Sequence, residues 1–546
     1  MHMRIVTAIS GRRWPARILA VAGVVGLASA LVFTAPAPRA APGDQATELT
    51  TTVTGGAIHG MRSAGIIQYL GVPFAASTAG PHRFAPPQPV PPWEGVRPAT
   101  AHGPQCPQSA PLPHVPALQP SSEDCLTIDV YVPEHASGTT LPVMVWLYGG
   151  GFVLGSNAQY DSPARLVRDG QVIVAIPNYR VGPFGFLALP ELATDDGGIT
   201  GTYGTLDQQA ALRWIQDNAA AFGGDPGNVT LFGESAGGMS VCTQLASPTA
   251  RGLFTKAIIQ SGACARSPLV PPTVDRAYQR SADYASSLGC GDFTTRLRCL
   301  REMPVDRLLS SPTTMLNTMD ATWTPVRDGV VVTSTPEDAL ATGVARAIPL
   351  IVGSNADEGA TFVALLDYAR GAVPTAAEYL DWALSSFGDH SDRVLARYPV
   401  ADFDTPAAAK QQVITDGFFA CPALFTTEAA RRGGGQVWQY RFNDAPLGQN
   451  PLLPGAFHAA EIPYVFSALM GVPIPLPPDA DRLSQHIQQS WAHFAHTGSP
   501  ETPTLAPWPT TTPTTLELSR DRIALSDSFS PAHRCDLWST ISQIGW

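Results

Sequence analysis

The chain has 546 residues, of which 44% are hydrophobic and only 14% are charged. This composition supplies enough apolar side chains for a large core and differs from that of an intrinsically disordered protein. The formal net charge is −11, and it becomes −16 without the first 40 residues, which contain five arginines and no acidic residue. Because so acidic a chain repels phosphate groups and contains only two lysines, we expect no nucleic-acid partner.

The N-terminus has the pattern of a signal peptide. Three arginines within residues 12–17 precede an uncharged run at 18–33, and small residues follow at 34–41. The run is shorter than the roughly 18 to 20 apolar residues of a membrane-spanning helix. We therefore predict a signal peptide at residues 1–40 and a secreted, extracellular protein with no stable membrane span after signal removal. An uncleaved membrane anchor is the alternative.

After the leader, short apolar segments rich in β-branched residues alternate with longer helical patterns, without a repeat of about 20 to 50 residues. The segments typical of buried strands are residues 142–148, 172–178, 229–232, 257–261, 348–353 and 437–442. The clearest helical patterns are at 204–221 and 236–245. This alternation predicts a mainly parallel central sheet flanked by helices. We expect residues 41–546 to form a single domain with long insertions.

Three consecutive glycines follow the first of these strands. Gly149, Gly150 and Gly151 come directly after the segment at 142–148. Hydrolysis of an acyl group needs two or more N–H donors about 3 Å from the oxygen that becomes negative, and residues without side chains let the main chain approach that closely. Three glycines alone are more typical of a flexible turn. Their position after a buried strand and upstream of a serine motif favours Gly150 and Gly151 as donors, together with the N–H of Ala236.

The serine motif is GESAG at residues 233–237, the one G-x-S-x-G sequence in the chain. A predicted strand leads into it and a helical run of small residues follows, which is the context of a nucleophile elbow. The two glycines leave room for the sharp turn, and the N-terminus of the helix stabilises negative charge near the hydroxyl. We therefore predict that Ser235 is a catalytic nucleophile. A serine in a glycine-rich turn without a catalytic role is the alternative.

A serine nucleophile on this framework needs a carboxylate and then a histidine further along the chain. Asp357 and Glu358 follow the predicted strand at 348–353, and either carboxylate could orient an imidazole and stabilise its charged form. His458 lies in the loop after the last predicted strand, from which it could reach Ser235. His458 is therefore the predicted base, with a purely structural histidine as the alternative.

Three other histidines are less suited to this role. His486, His493 and His496 belong to a helical pattern at residues 481–497, where a solvated or capping role is expected. The spacing of His493 and His496 occurs among metal ligands, but no acidic or cysteine partner matches them. We expect neither a metal nor a cofactor.

Taken together, these motifs resemble the type-B carboxylesterase/lipase family, which includes cholinesterases, fungal lipases and bacterial p-nitrobenzyl esterases. The similarity runs from about residue 50 to the C-terminus and includes YLGVPFA at 69–75, EDCL at 123–126, NYR at 178–180, QSG at 260–262, DEG at 357–359 and CDLW at 535–538. The resemblance implies an α/β-hydrolase fold and a catalytic triad of Ser235, Glu358 and His458. It also implies the oxyanion donors already named.

The resemblance assigns further roles that residue chemistry leaves open. It selects Glu358 as the acid and makes Asp357 a loop residue. It also implies that Ser261 forms a hydrogen bond with the acid. The surroundings of His458 depart from the family pattern, because two alanines follow it where the family usually has a glycine.

Six of the eight cysteines match disulfide-bonded positions of the family. The resemblance implies three disulfide bonds, which are Cys106–Cys125, Cys290–Cys299 and Cys421–Cys535. Cys242 and Cys264 remain. The even number of cysteines favours a bond between them in an exported protein, and two buried thiols are the alternative.

The loop at residues 107–124 bears on the substrate. Cholinesterases place an aromatic residue of this loop against the choline cation, but here it contains no Trp, Tyr or Phe, so we do not expect acetylcholine specificity. Fungal lipases use the same loop as a lid. Leu112, Val115 and Leu118 could give such a lid an apolar face.

The main prediction is a secreted serine carboxylic-ester hydrolase that cleaves short to medium acyl or aryl esters through an acyl-enzyme intermediate. A lipase or sterol esterase acting on longer acyl chains is the alternative, so the expected partner is a small-molecule or lipid ester. The family also contains non-catalytic, cholinesterase-like binding proteins that lack the nucleophile. The presence of Ser235, Glu358 and His458 argues against that class.

Overall fold

The computed structural model describes residues 49–109, 119–136, 140–161, 163–262, 264–267, 270–310, 323–368, 371–448, 450–502, 507–510 and 514–541. The predicted signal peptide at 1–40 lies outside these ranges, and so do Leu112, Val115 and Leu118 of the predicted lid.

A mixed sheet forms the centre of the fold. In chain order, the strands are β1 (Thr50–Val53), β2 (Gly56–His59), β3 (Met61–Ser63), β4 (Ile66–Pro73), β5 (Val96–Pro98), β6 (Thr127–Pro133), β7 (Leu141–Leu147), β8 (Ile173–Pro177), β9 (Gly224–Glu234), β10 (Lys256–Gln260), β11 (Leu350–Asn355), β12 (Val437–Phe442), β13 (Ala468–Leu469), β14 (Val472–Pro473), β15 (Thr515–Leu518) and β16 (Ile523–Ser526). Eleven of these form one sheet in the order β16-β15-β12-β11-β10-β9-β7-β8-β6-β4-β3. In this order, the strands from β15 to β8 are parallel to one another. The pair β16-β15 at one edge and the strands β6, β4 and β3 at the other edge form the antiparallel pairs.

The six predicted strands are all present, as β7 to β12. Strand β7 shows why their sequences are continuously apolar, because it is buried at all seven positions. Val143 and Val145 belong to the core on one face of the sheet, whereas Met144 and Trp146 belong to the core on the other. A strand covered on both faces has no position at which a polar side chain would reach water.

Helices cover both faces of the sheet. They are α1 (Ala164–Gly170), α2 (Gly182–Phe186), α3 (Pro190–Asp195), α4 (Tyr203–Asn218), α5 (Ala236–Ala246), α6 (Val274–Ser287), α7 (Arg296–Glu302), α8 (Val305–Leu308), α9 (Pro336–Ala341), α10 (Gly359–Leu366), α11 (Ala376–Phe387), α12 (Ser391–Arg397), α13 (Pro406–Ile414), α14 (Cys421–Arg432), α15 (Ile462–Phe466), α16 (Pro478–Thr497), α17 (Phe529–Ala532) and α18 (Cys535–Trp538). A π-helical turn at Thr415–Ala420 joins α13 to α14. Helices α4 and α5 pack on one face of the sheet, and α1 and α16 pack on the other. Within the described ranges, no helix combines the length and the apolar character that crossing a membrane requires.

The parallel register brings the ends of the central strands together. Leu147 of β7 lies beside Gly233 of β9, and Gln260 of β10 lies beside both Glu234 of β9 and Gly353 of β11. Loops that follow parallel strands meet at one edge of a sheet, which is where sites form in this class of fold. The predicted site residues are in these loops or at the start of the helices that follow them.

The described residues contain four disulfide bonds and no free cysteine. Three are the bonds implied by the family resemblance, namely Cys106–Cys125, Cys290–Cys299 and Cys421–Cys535. The fourth joins Cys242 and Cys264, the pair that the cysteine count left open.

Candidate active site

Ser235 lies at a sharp turn between β9 and α5. Its backbone angles are φ 57° and ψ −124°, a strained conformation for a residue with a side chain. Flanking glycines make the turn possible. A Cβ atom on Gly237 would lie 1.9 Å from the carbonyl oxygen of Leu147, and one on Gly233 would lie 2.6 Å from the carbonyl carbon of Gly237. The Ser235 N–H donates to the carbonyl oxygen of Gln260 (2.9 Å), so the turn is also tied to β10.

The glycine loop after β7 lies directly against this turn. A Cβ atom on Gly149 would be 3.0 Å from the Cβ atom of Ser235. Gly150 and Gly151 have φ angles of 111° and 61°, which favour residues without a side chain. Gly149 thus packs against Ser235, and Gly150 and Gly151 follow it in the chain. Ala236, the residue after Ser235, is the first residue of α5.

His458 and Glu358 extend a hydrogen-bonded line from the serine. His458 Nε2 is 2.8 Å from Ser235 Oγ, and His458 Nδ1 is 2.5 Å from Glu358 Oε2. Glu358 is fully buried, and its Oε1 accepts a hydrogen bond from the N–H of Asn355 (2.7 Å). In this geometry an imidazole can take a proton from the serine while a carboxylate holds its opposite nitrogen.

Asp357 binds the backbone of the loop that carries His458 (residues 455–461, called here the histidine loop) instead of the imidazole. Its Oδ2 accepts a hydrogen bond from the N–H of Ala456 (2.9 Å), and its backbone pairs with Phe457 in an isolated bridge. Asp357 thus joins the loop after β11 to the loop that carries His458. Of the two adjacent acids, Glu358 is the one whose carboxylate contacts the imidazole.

A second carboxylate, which the sequence motifs did not single out, faces His458. Glu234 Oε1 lies 3.2 Å from His458 Nε2, an ion-pair contact without hydrogen-bond geometry. Burial raises the pKa of the Glu234 carboxyl, against the opposing effect of His458. Burial lowers the pKa of His458, but the charges of Glu234 and Glu358 outweigh it and raise that pKa above its usual value. The signal in the sequence is the acidic residue just before the serine of GESAG.

A third buried carboxylate belongs to the histidine loop, three residues after His458. The side-chain amides of Asn355 and Gln260 donate to the two oxygens of Glu461, over 2.6 and 3.2 Å. Trp491 in turn donates to the amide oxygen of Gln260 (3.0 Å). Burial raises the pKa of Glu461. These bonds link the ends of β10 and β11 to the histidine loop.

Two phenylalanines contact the ring of His458. The ring centroids of Phe419 and Phe362 lie 4.7 and 5.1 Å from the centroid of the imidazole, and the two phenyl rings stack on each other at 5.2 Å. Phe362 is in α10, and Phe419 is in the π-helical turn at Thr415–Ala420. Turns of this kind are frequent at functional sites. Here the turn supplies one apolar wall of the site.

Ser261 differs from the expectation drawn from the family. It is buried with φ 48°, and its Oγ makes no hydrogen bond within the part of the chain that the structure describes. The expected bond to the acid is therefore not formed. The two oxygens of Glu358 are bound instead by Asn355 and His458.

Two of the three histidines of α16 contact separate backbone carbonyls, whereas the third, His486, is half-buried, which lowers its pKa to about 4. His493 Nδ1 is 2.8 Å from the carbonyl oxygen of Ser499, and His496 Nε2 is 3.0 Å from that of Gly170. Both contacts lie at helix ends, in agreement with a capping role. Across the described ranges, no three His, Cys, Asp or Glu side chains are grouped as metal ligands would be.

Comparison with known proteins agrees with this geometry. The sequence profile of the group described as the carboxylesterase family matches residues 45–538. The chain therefore belongs to the carboxylesterase family and has the α/β-hydrolase fold.

Individual relatives extend the comparison. The chain is 37% identical over 478 residues to the para-nitrobenzyl esterase of Bacillus subtilis (strain 168), covering 85% of this chain and 92% of that protein. It is 34% identical over 513 residues to the fumonisin B1 esterase of Sphingopyxis macrogoltabida, covering 91% of each. A solved structure described as PNB esterase matches with a TM-score of 0.76 and 34% identity, covering 89% of this chain and 99% of that chain. The protein is a carboxylic-ester hydrolase.

Proposed function

We propose that this protein is a secreted serine carboxylesterase that cleaves short to medium acyl or aryl esters through an acyl-enzyme on Ser235. The observation that carries the proposal is the hydrogen-bonded line from Ser235 Oγ through His458 to Glu358, with steps of 2.8 and 2.5 Å. At its Ser235 end the line lies against Gly149 of the glycine loop, which supports Gly150 and Gly151 as main-chain donors to the same ester group.

The first half-reaction forms the acyl-enzyme. Ser235 Oγ attacks the carbonyl carbon of the ester while His458 Nε2 takes its proton. The carbonyl oxygen becomes an oxyanion, to which the N–H groups of Gly150, Gly151 and Ala236 donate. His458 then gives the proton to the oxygen of the leaving alcohol as the C–O bond breaks, and the acyl group stays on Ser235.

The second half-reaction releases the acid. Water attacks the acyl carbon while His458 takes one of its protons, and that proton passes to Ser235 Oγ as the carboxylic acid leaves. The carboxylate of Glu358 accepts the hydrogen bond from Nδ1–H, which stabilises the positive charge that the imidazole carries in each half-reaction. The cycle requires neither a metal nor a cofactor.

The two phenyl rings beside His458 favour an uncharged ester. Phe362 and Phe419 contact its ring and therefore lie beside the leaving alcohol that it protonates. The loop at 107–124 contains no aromatic side chain for binding a quaternary ammonium group. The similar para-nitrobenzyl esterase is named for an ester of an arylmethyl alcohol, which supports leaving alcohols that carry an aromatic ring.

A hydrolysis panel tests this function. The wild-type protein and Ser235→Ala are assayed with p-nitrophenyl esters from acetate to palmitate and with a sterol ester. We expect the highest kcat/KM at short to medium chains, and a loss of about 10⁴-fold or more in Ser235→Ala with an unchanged Tm.

Other outcomes of the panel would contradict the proposed nucleophile or the proposed substrate class. Substantial turnover by Ser235→Ala would reject Ser235 as the nucleophile. A sharp rise in rate above the solubility limit of long-chain esters would identify a lipase, and preference for the sterol ester would identify a sterol esterase. A wild-type protein inactive on every ester would indicate a binding protein.

Export is supported by the leader pattern at residues 1–40 and by the four disulfide bonds. Disulfide bonds persist outside the reducing cytosol. N-terminal sequencing of the protein expressed with its leader is expected to begin near residue 41. A product that keeps the leader and stays with the membrane fraction would show an uncleaved anchor instead.

A further inference from the structure

The Cys242–Cys264 disulfide is additional to the three bonds that the family resemblance implies. One of its cysteines is in the helix that begins immediately after the nucleophile. Cys242 is the seventh residue of α5, the helix that begins at Ala236. Cys264 belongs to the segment that follows β10, and its described residues Ser261, Gly262 and Cys264 are called here the β10 loop. Both cysteines are buried, with at most 1% of each exposed. The cross-link therefore joins the helix that starts at the nucleophile to the next loop of the sheet.

The helix and the β10 loop meet main chain against main chain. A Cβ atom on Gly262 would lie 2.6 Å from the Cα atom of Gly238, and one on Gly238 would lie 2.9 Å from the carbonyl oxygen of Gln260. Glycines allow so close an approach, but they supply no side chains that could hold the two segments together. The disulfide follows Gly238 by one helical turn and provides a covalent fastening for this contact.

The same contact positions two of the proposed catalytic groups. The Ser235 N–H donates to the carbonyl oxygen of Gln260 (2.9 Å), and Ala236 is the next residue. A shift of α5 against the β10 loop would therefore move Ser235 and the N–H of Ala236 relative to Gly150 and Gly151. A misplacement of about 1 Å in a catalytic site costs about 10²-fold in rate.

The β10 loop is itself held by its other neighbours. The N–H groups of Cys264 and Ala265 both donate to Thr426 Oγ1 in α14, over 3.0 and 3.2 Å. The N–H of Ser261 donates to the carbonyl oxygen of Gly353 in β11 (2.9 Å). The loop is thus a fixed support, and the disulfide extends that support to α5.

We propose that the Cys242–Cys264 disulfide is a positioning cross-link for the oxyanion hole. It holds α5 against the β10 loop, so that the N–H of Ala236 keeps its place when the ester oxygen becomes negative. The inference rests on the proposed roles of Ser235 and Ala236. A merely structural disulfide restricts the unfolded chain and leaves catalysis by the folded enzyme unchanged. A positioning one affects kcat more than KM, because the oxyanion exists in the transition state and not in the bound ester.

Two double variants separate these roles. Cys242→Ala/Cys264→Ala removes the cross-link, and Cys290→Ala/Cys299→Ala removes a bond in the region of α6 and α7, which carry none of the proposed catalytic groups. Both are assayed well below their Tm with p-nitrophenyl butyrate and with an aliphatic trifluoromethyl ketone, which forms an oxyanion when the serine adds to it. In the first variant we expect kcat to fall about tenfold or more, the Ki of the ketone to rise by a similar factor, and KM to change less than about twofold. In the control variant, kcat, KM and Ki are expected to stay within about twofold of the wild type.

A cross-link variant with a lower Tm but unchanged kcat and Ki would overturn the proposal and leave the bond purely stabilising. If that variant does not fold, Thr426→Val provides the decision, because it removes the acceptor that holds the other side of the β10 loop. We expect kcat to fall at least about threefold, with an unchanged KM, and to be restored in Thr426→Ser, which keeps the hydroxyl. An unchanged kcat in Thr426→Val would also overturn the proposal. The proposed function fails separately, through turnover by Ser235→Ala.

Discussion

The nucleophile side of the proposed active site is held by close main-chain contacts, whereas the acid–base side is held by buried charges and hydrogen bonds. On the first side, β7, β9 and α5 approach through glycines, and a Cβ atom on Gly237 would meet a carbonyl oxygen at 1.9 Å. On the second side, the carboxylates of Glu358, Asp357 and Glu461 bind the loops that follow β11 and β12. The first side is therefore sensitive to side-chain volume, and the second is sensitive to charge.

This difference follows from the groups that each side presents. The proposed oxyanion donors are main-chain N–H groups, and their position depends on how closely two segments can pack. The imidazole and its acid are side chains on long loops, so partners must fix both their orientation and their protonation. Substitutions that change volume alone or charge alone can separate the two sides.

The largest effect is expected on the acid–base side, from a loss of charge at constant volume. Glu358→Gln removes the negative charge from His458 Nδ1, and we expect kcat to fall about 10³- to 10⁴-fold. Asp357→Asn is the matched control. Its side chain binds the backbone of Ala456, so we expect kcat to fall no more than about tenfold. Steady-state kinetics with p-nitrophenyl butyrate gives the ranking, and the reverse ranking would make Asp357 the acid.

A smaller effect is expected on the nucleophile side, from one added methyl group. In Gly237→Ala the new Cβ atom would lie 1.9 Å from the carbonyl oxygen of Leu147, so the turn has to open. We expect a loss of about 1 to 3 kcal/mol in the free energy of unfolding and of about 10²-fold in kcat/KM. Gly227→Ala is the control, because its Cβ atom would meet nothing closer than Asp225 Oδ1 at 3.3 Å. If urea unfolding and kinetics give the same result for both variants, close packing does not limit the nucleophile side.

The smallest effect is expected in the pH profile of Glu234→Gln. His458 takes the serine proton in its neutral form, so kcat/KM falls as pH falls through the pKa of His458. The charge of Glu234 raises that pKa, against burial, which lowers it. Removing the charge therefore lowers the pKa of His458 and moves the acidic limb of kcat/KM to lower pH, while the plateau changes by less than about tenfold. An acidic limb that stays in place or moves to higher pH would show that Glu234 does not act on the charge of the imidazole.

Short stretches of sequence predicted the framework of the site. The apolar segments that became β7 to β12 are recognisable because strands covered on both faces leave no position for polar side chains. The turn at Ser235 follows from GESAG because the two flanking glycines have no Cβ atoms that would clash where the main chain packs closely. The glycines after β7 predicted a loop whose main chain can approach other groups closely, for the same reason. The contact of that loop with Ser235, however, depends on the pairing of β7 with β9.

Partners far apart in the chain required the tertiary structure. Asp357 and Glu358 carry the same charge on one loop, and His458, which distinguishes them, lies 100 residues beyond Glu358. The bond between Cys242 and Cys264 and the approach of Glu234 to His458 also join separate segments. The strands, the sharp turn and the serine on it were thus predictable from the sequence alone, because local sterics and burial decide these features. The tertiary structure decided the contacts that residue chemistry left open, between Glu358 and His458 and between Cys242 and Cys264, because they depend on how distant segments pack together.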